Sequence, residues 1–120
     1  MGGMVDVVRL APLLLQSRRE AREAELKRVF GTDVRLIEVA DMAEFRSTLT
    51  SPDVVAVALD APAPGQLDEA VAAAGSRPVL RPLWRKRRNN RGEVDDLFDG
   101  YGLLTDTGVL RLADGELAPD

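Results

Sequence analysis

The chain has 120 residues, of which 45% are hydrophobic and 30% are charged, and this length and composition predict one folded domain. The absence of cysteine and histidine excludes disulfides, thiolate nucleophiles, imidazole bases and most zinc sites. A formal net charge of −4 does not favour nucleic acid or an anionic membrane as a partner. No apolar stretch has the length of a membrane span and no signal peptide is evident, so we expect a cytoplasmic protein.

The first predicted elements are a strand and a helix. An apolar run from Val5 to Leu15 indicates a strand, in which Pro12 marks a bulge, an edge, the end of a short strand or the start of a helix. The segment from Ser17 to Glu20 has the spacing of a capping box, which predicts a helix beginning near Arg18, and Gly31 predicts its end. The predicted core face comprises Ala21, Ala24, Leu26, Val29 and Phe30, and the predicted solvent face comprises Arg18, Arg22, Glu23, Lys27 and Arg28.

A second strand and a second helix follow, and then a buried strand. Val34 to Val39 predicts the second strand, and Asp41 with Glu44 predicts the cap of a short helix that ends before Pro52. The run from Val54 to Leu59 is apolar without alternation. Such a run is typical of a strand that is covered on both faces, as in a parallel sheet.

The third helix and the fourth strand complete this series. Apolar residues recur at helical spacing from Leu67 to Ala74, and Gly75 predicts the end of that helix. A fourth strand is predicted from Arg77 to Trp84. Pro78 and Pro82 interrupt it, which favours a position near the edge of the sheet.

The order of these elements predicts the fold class. Alternating strands and helices with right-handed crossovers predict an α/β fold, a Rossmann-like or flavodoxin-like three-layer sandwich with a mostly parallel sheet, formed by residues 4–84. Residues 85–120 are predicted to add a basic loop, a short helix and a small β-meander. Turn signals at Asp106-Thr107-Gly108 and at Asp114-Gly115 support the meander.

Asp60 is the first candidate site residue, because it directly follows the predicted central strand, where open α/β sheets bind ligands. The alternative is that the strand merely ends there. The segment LDAPAPG resembles two-component receiver domains, in which an aspartate at this place accepts a phosphoryl group and Pro-Gly follows, here Pro64 and Gly65. That family holds magnesium with acidic residues at the positions of Gln16 and Ser17, which are not anionic here, so active phosphoryl transfer is not expected.

A second resemblance covers Val8 to about Leu83. Segments such as SPDVVAVALDAP and AVAAAGSRPVLRPLW resemble the nucleotide-binding domain of glucose-fructose oxidoreductase-type dehydrogenases. That resemblance implies a dinucleotide fold, but the glycine-rich turn of the family is missing and Arg81-Pro82 replaces its Lys-Pro. We therefore expect no dehydrogenase activity, no cofactor and no metal.

A basic run from Arg81 to Arg91 is the strongest local charge signal. It contains Trp84, and an aromatic ring among arginines can stack a base while the cations contact phosphates. Arg87 and Arg88 are the preferred anion ligands, because the guanidinium fork suits bidentate contacts. The alternative is a solvated loop whose arginines pair with the acids that follow, namely Glu93, Asp95, Asp96 and Asp99.

Those acids also have two interpretations. One is a carboxylate cluster for a metal, formed by Asp95, Asp96 and Asp99, although on a helix Asp95 and Asp99 share a face and Asp96 points aside. The favoured interpretation is a set of carboxylates at the start of a short helix, where they interact with the helix dipole. The residues predicted to pack inward from this segment are Val94, Leu97, Phe98 and Tyr101, with Trp84 as either a core residue or a stacking platform.

The leading functional prediction is a non-catalytic interaction or regulatory module that binds a protein partner or forms a homodimer. Exposed strand edges in the C-terminal segment favour such contacts. The alternative is a nucleotide- or anion-binding domain that uses the strand-end crevice beside Asp60 and the basic run. An enzyme is not favoured, because the sequence offers no paired acid and base.

Overall fold

A computed structural model of the chain describes residues 3–12 and 18–118. Within these ranges six strands form one sheet and three helices pack on it. The strands are β1 (Val5–Leu10), β2 (Val34–Val39), β3 (Val54–Leu59), β4 (Val79–Arg88), β5 (Val94–Thr105) and β6 (Gly108–Arg111); the helices are α1 (Arg19–Phe30), α2 (Met42–Thr48) and α3 (Gln66–Ala74).

The sheet is mixed, with the order β2-β1-β3-β4-β5-β6. The first four strands pair in parallel, whereas β5 pairs antiparallel with both β4 and β6. The predicted Rossmann-like or flavodoxin-like sandwich with a mostly parallel sheet is therefore wrong. The C-terminal segment is not a separate meander, because β5 and β6 extend the main sheet as its antiparallel half.

The two faces of the sheet have separate apolar clusters. Leu26 and Val29 of α1 pack with one cluster, which includes Ala56 and Ala58 of β3. Residues of α2 and α3 pack on the opposite face against Val57 and other residues of β3. The prediction that β3 is covered on both faces is confirmed.

The basic run continues β4 rather than forming a loop. Lys86 lies opposite Asp96 and Arg87 opposite Asp95 in the antiparallel register, and opposite charges in directly paired positions stabilise a sheet. The predicted basic loop and the predicted short helix over the acidic segment are therefore both wrong. In the hairpin that joins β4 to β5, the side chain of Asn89 accepts hydrogen bonds from the backbone N–H groups of Arg91 and Glu93, at 2.9 and 3.0 Å.

The two prolines near β4 fit its change of partners. β4 pairs with β3 at Val79 and Leu80, and Pro82 lies opposite Tyr101 of β5, beyond the register shared with β3. A proline is tolerated there because the strand no longer needs its missing N–H for a β3 ladder. The fourth strand is therefore paired with β3 only at its start and with β5 over the rest of its length.

Helix α1 buries only part of the predicted core face, namely Leu26, Val29 and Phe30. Ala21 and Ala24 are exposed, whereas Arg22 is buried together with Leu26, Val29 and Phe30, which is the i, i+4, i+7, i+8 spacing of one helix face. Gly31 adopts the predicted left-handed conformation at the C-terminus, with φ 66°. Ser17 of the predicted capping box and the predicted end of the first strand at Leu15 lie outside the described residues.

No helix in residues 3–12 and 18–118 combines the length and the apolar character needed to cross a membrane.

Candidate functional site

Asp60 is buried where β3 ends and is held by three side chains. Its Oδ2 accepts hydrogen bonds from Arg9 Nε at 2.9 Å and from Arg22 Nε at 3.2 Å. Its Oδ1 accepts one from the hydroxyl of Tyr101 at 2.9 Å. Parallel pairing of β1 with β3 brings Arg9 beside this carboxylate, so residues far apart in sequence form one buried network.

Arg9 is fully buried near the C-terminal end of β1 and is neutralised from two sides. Besides Asp60, its Nη1 contacts Oε2 of Glu38 on β2 at 2.5 Å, and Glu38 in turn accepts a hydrogen bond from Arg19 at 3.1 Å. Burial lowers the pKa of Arg9, but the negative charge of Asp60 and the hydrogen bonds from Arg9 to Asp60 and Glu38 raise this pKa by more. Arg9 is therefore a permanent buried cation, which requires close anionic partners.

Tyr101 closes the network from β5. Burial raises the pKa of its hydroxyl well above the usual value, and the negative charge of Asp60 raises it further. The phenol therefore stays protonated at neutral pH and donates to Asp60 rather than competing with it for cations.

A bulge in β5 brings Tyr101 and Phe98 to the same face of the sheet. Pro82 pairs with Tyr101 but Trp84 pairs with Phe98, so β5 has one residue more than β4 over this interval. The rings of Phe98 and Tyr101 meet edge to face at 5.1 Å. The bulge depends on Gly100, which has φ 109°.

Glu25 of α1 fixes this bulge. Its Oε2 accepts a hydrogen bond from the backbone N–H of Tyr101 at 2.7 Å. A Cβ atom on Gly100 would lie 2.5 Å from the same oxygen. Glu25 of α1 therefore needs the space that a glycine leaves at position 100 of the bulge. The same helix places Arg22 near the aromatic rings of β4 and β5.

A pocket of about 370 Å³ lies beside this network. Arg22 forms part of its wall, with its Cζ 4.0 Å from the ring centre of Phe98 and 5.8 Å from that of Trp84; both rings also line the pocket. These distances place the guanidinium group in cation–π contact with the aromatic wall. Among the residues that the structure describes, its lining comprises Arg18, Arg22, Asp60, Ala61, Trp84, Asp96, Leu97 and Phe98.

The Nη groups of Arg22 are not engaged by the network around Asp60. Within the described ranges, Arg22 is bonded through Nε alone, to Asp60. Every enclosed side-chain nitrogen and oxygen in that part of the chain has a hydrogen-bond partner, so the Nη groups are not fully enclosed, and Arg22 is one of the residues that line the pocket. Only 5% of the whole Arg22 side chain is exposed.

A smaller crevice of about 200 Å³ lies on the other side of Asp60, at the carboxyl ends of β1 and β3. Ala61 borders both spaces and has φ 49°, a left-handed conformation that costs energy for a residue with a Cβ atom. The crevice is lined mainly by small and apolar side chains, among them Leu10, Ala40, Pro62 and Ala63. The charged groups of this region therefore converge on the larger pocket.

The structure places the predicted site residues in two groups. Asp60 and Trp84 line the same pocket. Arg87 and Arg88 are exposed on the outer part of β4 and are not among the residues that line it. Their predicted role in binding an anion stays a prediction.

Sequence reasoning missed Arg9 and Arg22 and placed Tyr101 only as an inward-facing residue. A signal for each arginine was present. Arg9 stands inside an apolar strand run, and Arg22 continues the helical spacing of Leu26, Val29 and Phe30. A charged residue at such a core position requires a buried counter-ion, and Asp60 follows the neighbouring strand.

No cluster of three or more acidic side chains with metal-binding geometry is present in residues 3–12 and 18–118.

In comparisons with known proteins, no protein-family model, curated protein or solved structure matches the chain. The resemblances to receiver domains and to the dehydrogenase domain therefore stay predictions.

Proposed function

We propose that the protein binds a small anionic ligand in the pocket beside Asp60. The observation that carries this proposal is the side chain of Arg22, which lines the pocket, is held at Nε by Asp60 and has Nη groups that are not fully enclosed. A guanidinium in this arrangement offers parallel donors to a carboxylate or phosphate.

The surroundings of Arg22 strengthen its interaction with an anion. The hydrogen bond to Asp60 and the contact with Phe98 fix the guanidinium plane before a ligand arrives, so little side-chain entropy is lost on binding. Burial lowers the local dielectric and strengthens the charge interaction. Arg18 adds a second cation at the pocket, and within the described ranges it has no ionic partner of its own.

In this proposal Asp60 positions Arg22 and does not contact the ligand as an acceptor. Both of its carboxylate oxygens already accept hydrogen bonds from Arg9, Arg22 and Tyr101. The activity is binding or regulation rather than catalysis, and the cytoplasmic location expected from the sequence remains part of the proposal.

Thermal unfolding with added inorganic phosphate tests the proposal, at constant ionic strength maintained with sodium chloride. A ligand present at one hundred times its Kd stabilises the native state by about 2.7 kcal/mol, so we expect a concentration-dependent rise in Tm of several degrees. Calorimetric titration of the Arg18→Ala and Arg22→Met variants should show at least a tenfold weaker affinity.

Arg87→Ala is the matched control, because it removes an exposed arginine outside the pocket. Its phosphate affinity should equal that of the unsubstituted protein. A Tm that does not respond to phosphate, or an affinity that falls only in Arg87→Ala, would contradict the proposal.

Self-association is a second candidate function, favoured by the free edge of the sheet. β6 is the last strand in the sheet order, and its Val109 and Leu110 are 37% and 55% exposed. An edge strand with apolar side chains offers its backbone groups to a second chain, and a second copy of β6 can pair with it across a two-fold axis.

Light scattering coupled to size-exclusion chromatography tests this second candidate. We expect a dimer mass for the unsubstituted protein and a monomer mass for Leu110→Lys, because an edge lysine opposes strand pairing. A monomer mass for the unsubstituted protein at every concentration would exclude it.

A further inference from the structure

We infer that the anion held by Arg22 carries a planar aromatic ring that stacks on Trp84, so that the ligand has the chemistry of a nucleoside monophosphate. This inference rests on the proposed anion site and adds the part of the ligand that the arginines cannot recognise.

Trp84 is a platform rather than a core residue. The residue is 52% exposed, although it has the largest apolar side chain in the pocket lining. Phe98 contacts it edge to face, with ring centres 6.1 Å apart and planes at 75°. That contact fixes the indole orientation, and a stacking contact with a ligand ring would cover much of its exposed surface.

The anion donors and the ring are close enough for one small ligand. Arg22 Cζ lies 5.8 Å from the centre of the Trp84 ring. An anion hydrogen-bonded to an Nη group lies about 2.7–2.9 Å from that nitrogen, and stacked aromatic rings have centres about 4.5–7 Å apart. The groups that the phosphate and the base of one nucleotide would contact are therefore neighbours in the structure.

The pocket has the composition that such a ligand requires. Its volume of about 370 Å³ is within the range of about 300–1,000 Å³ that is typical of small-molecule sites. Trp84, Leu97 and Phe98 form an apolar part of its lining, and Arg18 and Arg22 supply the cations. A bare inorganic anion would leave the apolar part without a contact.

Trp84 is the single tryptophan of the chain, so its fluorescence reports directly on this site. Titration with AMP, GMP, CMP and UMP should quench the emission, whereas ribose 5-phosphate, which lacks the base, should change it little. Calorimetry should show that at least one nucleotide binds roughly tenfold or more tightly than ribose 5-phosphate, since base stacking on an aromatic side chain supplies that much discrimination. Adenosine, which lacks the phosphate, should bind more weakly than AMP.

The Trp84→Leu variant removes the ring while keeping an apolar side chain on β4. It should reduce nucleotide affinity to the level of ribose 5-phosphate and leave the ribose 5-phosphate affinity unchanged within about twofold. Trp84→Phe keeps a ring and should retain most of the preference for nucleotides, which shows that the ring itself is recognised.

The outcomes separate this inference from the proposal on which it rests. If ribose 5-phosphate binds and no nucleotide binds more tightly, the aromatic ring is not recognised and the anion site remains. Equal loss of both affinities in Trp84→Leu would also overturn the inference, because the indole would then only shape the pocket. If neither phosphate compound binds, the inference and the anion site both fail.

Discussion

Replacing Asp60 by asparagine is expected to lower the free energy of unfolding by about 3–5 kcal/mol, the range for breaking a buried ion pair. The carboxylate is the shared acceptor for Arg9, Arg22 and Tyr101. An asparagine keeps the shape but removes the charge that compensates two buried guanidinium groups. Urea denaturation followed by circular dichroism measures the loss directly.

Asp106→Asn is the matched control for this substitution, because Asp106 is an exposed aspartate in the turn between β5 and β6. Its effect should stay within about 0.5 kcal/mol, as for most surface substitutions. If the two variants had equal stability, the buried network would not contribute as the structure indicates.

The Gly100→Ala substitution is expected to lower the free energy of unfolding by at least about 2 kcal/mol. Part of the loss is backbone strain, since φ is 109° and such conformations cost about 1–3 kcal/mol for a residue with a Cβ atom. The remainder comes from the new Cβ, which would lie 2.5 Å from Glu25 Oε2. Either Glu25 moves and releases the N–H of Tyr101, or the bulge shifts.

Gly92→Ala separates these two contributions. Gly92 also has a positive φ, 80°, but no atom lies within 4 Å of its would-be Cβ. It should therefore show backbone strain alone and a smaller loss in the same denaturation experiment. Losses of equal size would show that the Glu25 contact does not hold the bulge.

Local sequence signals predicted the elements of the N-terminal two thirds. The apolar run at β3 predicted a strand buried on both faces, and Asp41 caps α2 by accepting a hydrogen bond from the N–H of Glu44 at 2.8 Å. These features depend on neighbours in sequence, on hydrophobic periodicity and on the geometry of helix ends. For that reason the order of the elements and the parallel pairing of the first four strands could be predicted.

The antiparallel half of the sheet could not be predicted in the same way. The basic and acidic blocks that follow Trp84 suggest a loop and a helix start when each block is considered alone. Their pairing is what makes both of them strands, with Lys86 opposite Asp96 and Arg87 opposite Asp95. Such stabilisation across strands is not visible in the periodicity of either segment.

The buried charge network at the candidate site could not be predicted from local sequence signals either. An arginine on a helix is normally assigned to the solvent face, so Arg22 was predicted to be exposed. Its burial depends on Asp60 and Phe98, which are distant in sequence. Asp60 and Trp84 could be selected from the sequence as site residues, but the cations that share their pocket could not.

Anion binding by Arg22 can be observed at the residue itself by titration with inorganic phosphate followed by NMR of the arginine Nε–Hε groups, with the Arg22 signal assigned from the Arg22→Lys variant. We expect a saturable shift of the Arg22 signal and no comparable change at Arg46, which pairs with Glu69 on the surface. An unchanged Arg22 signal at phosphate concentrations that shift the signals of exposed arginines would contradict anion binding by Arg22.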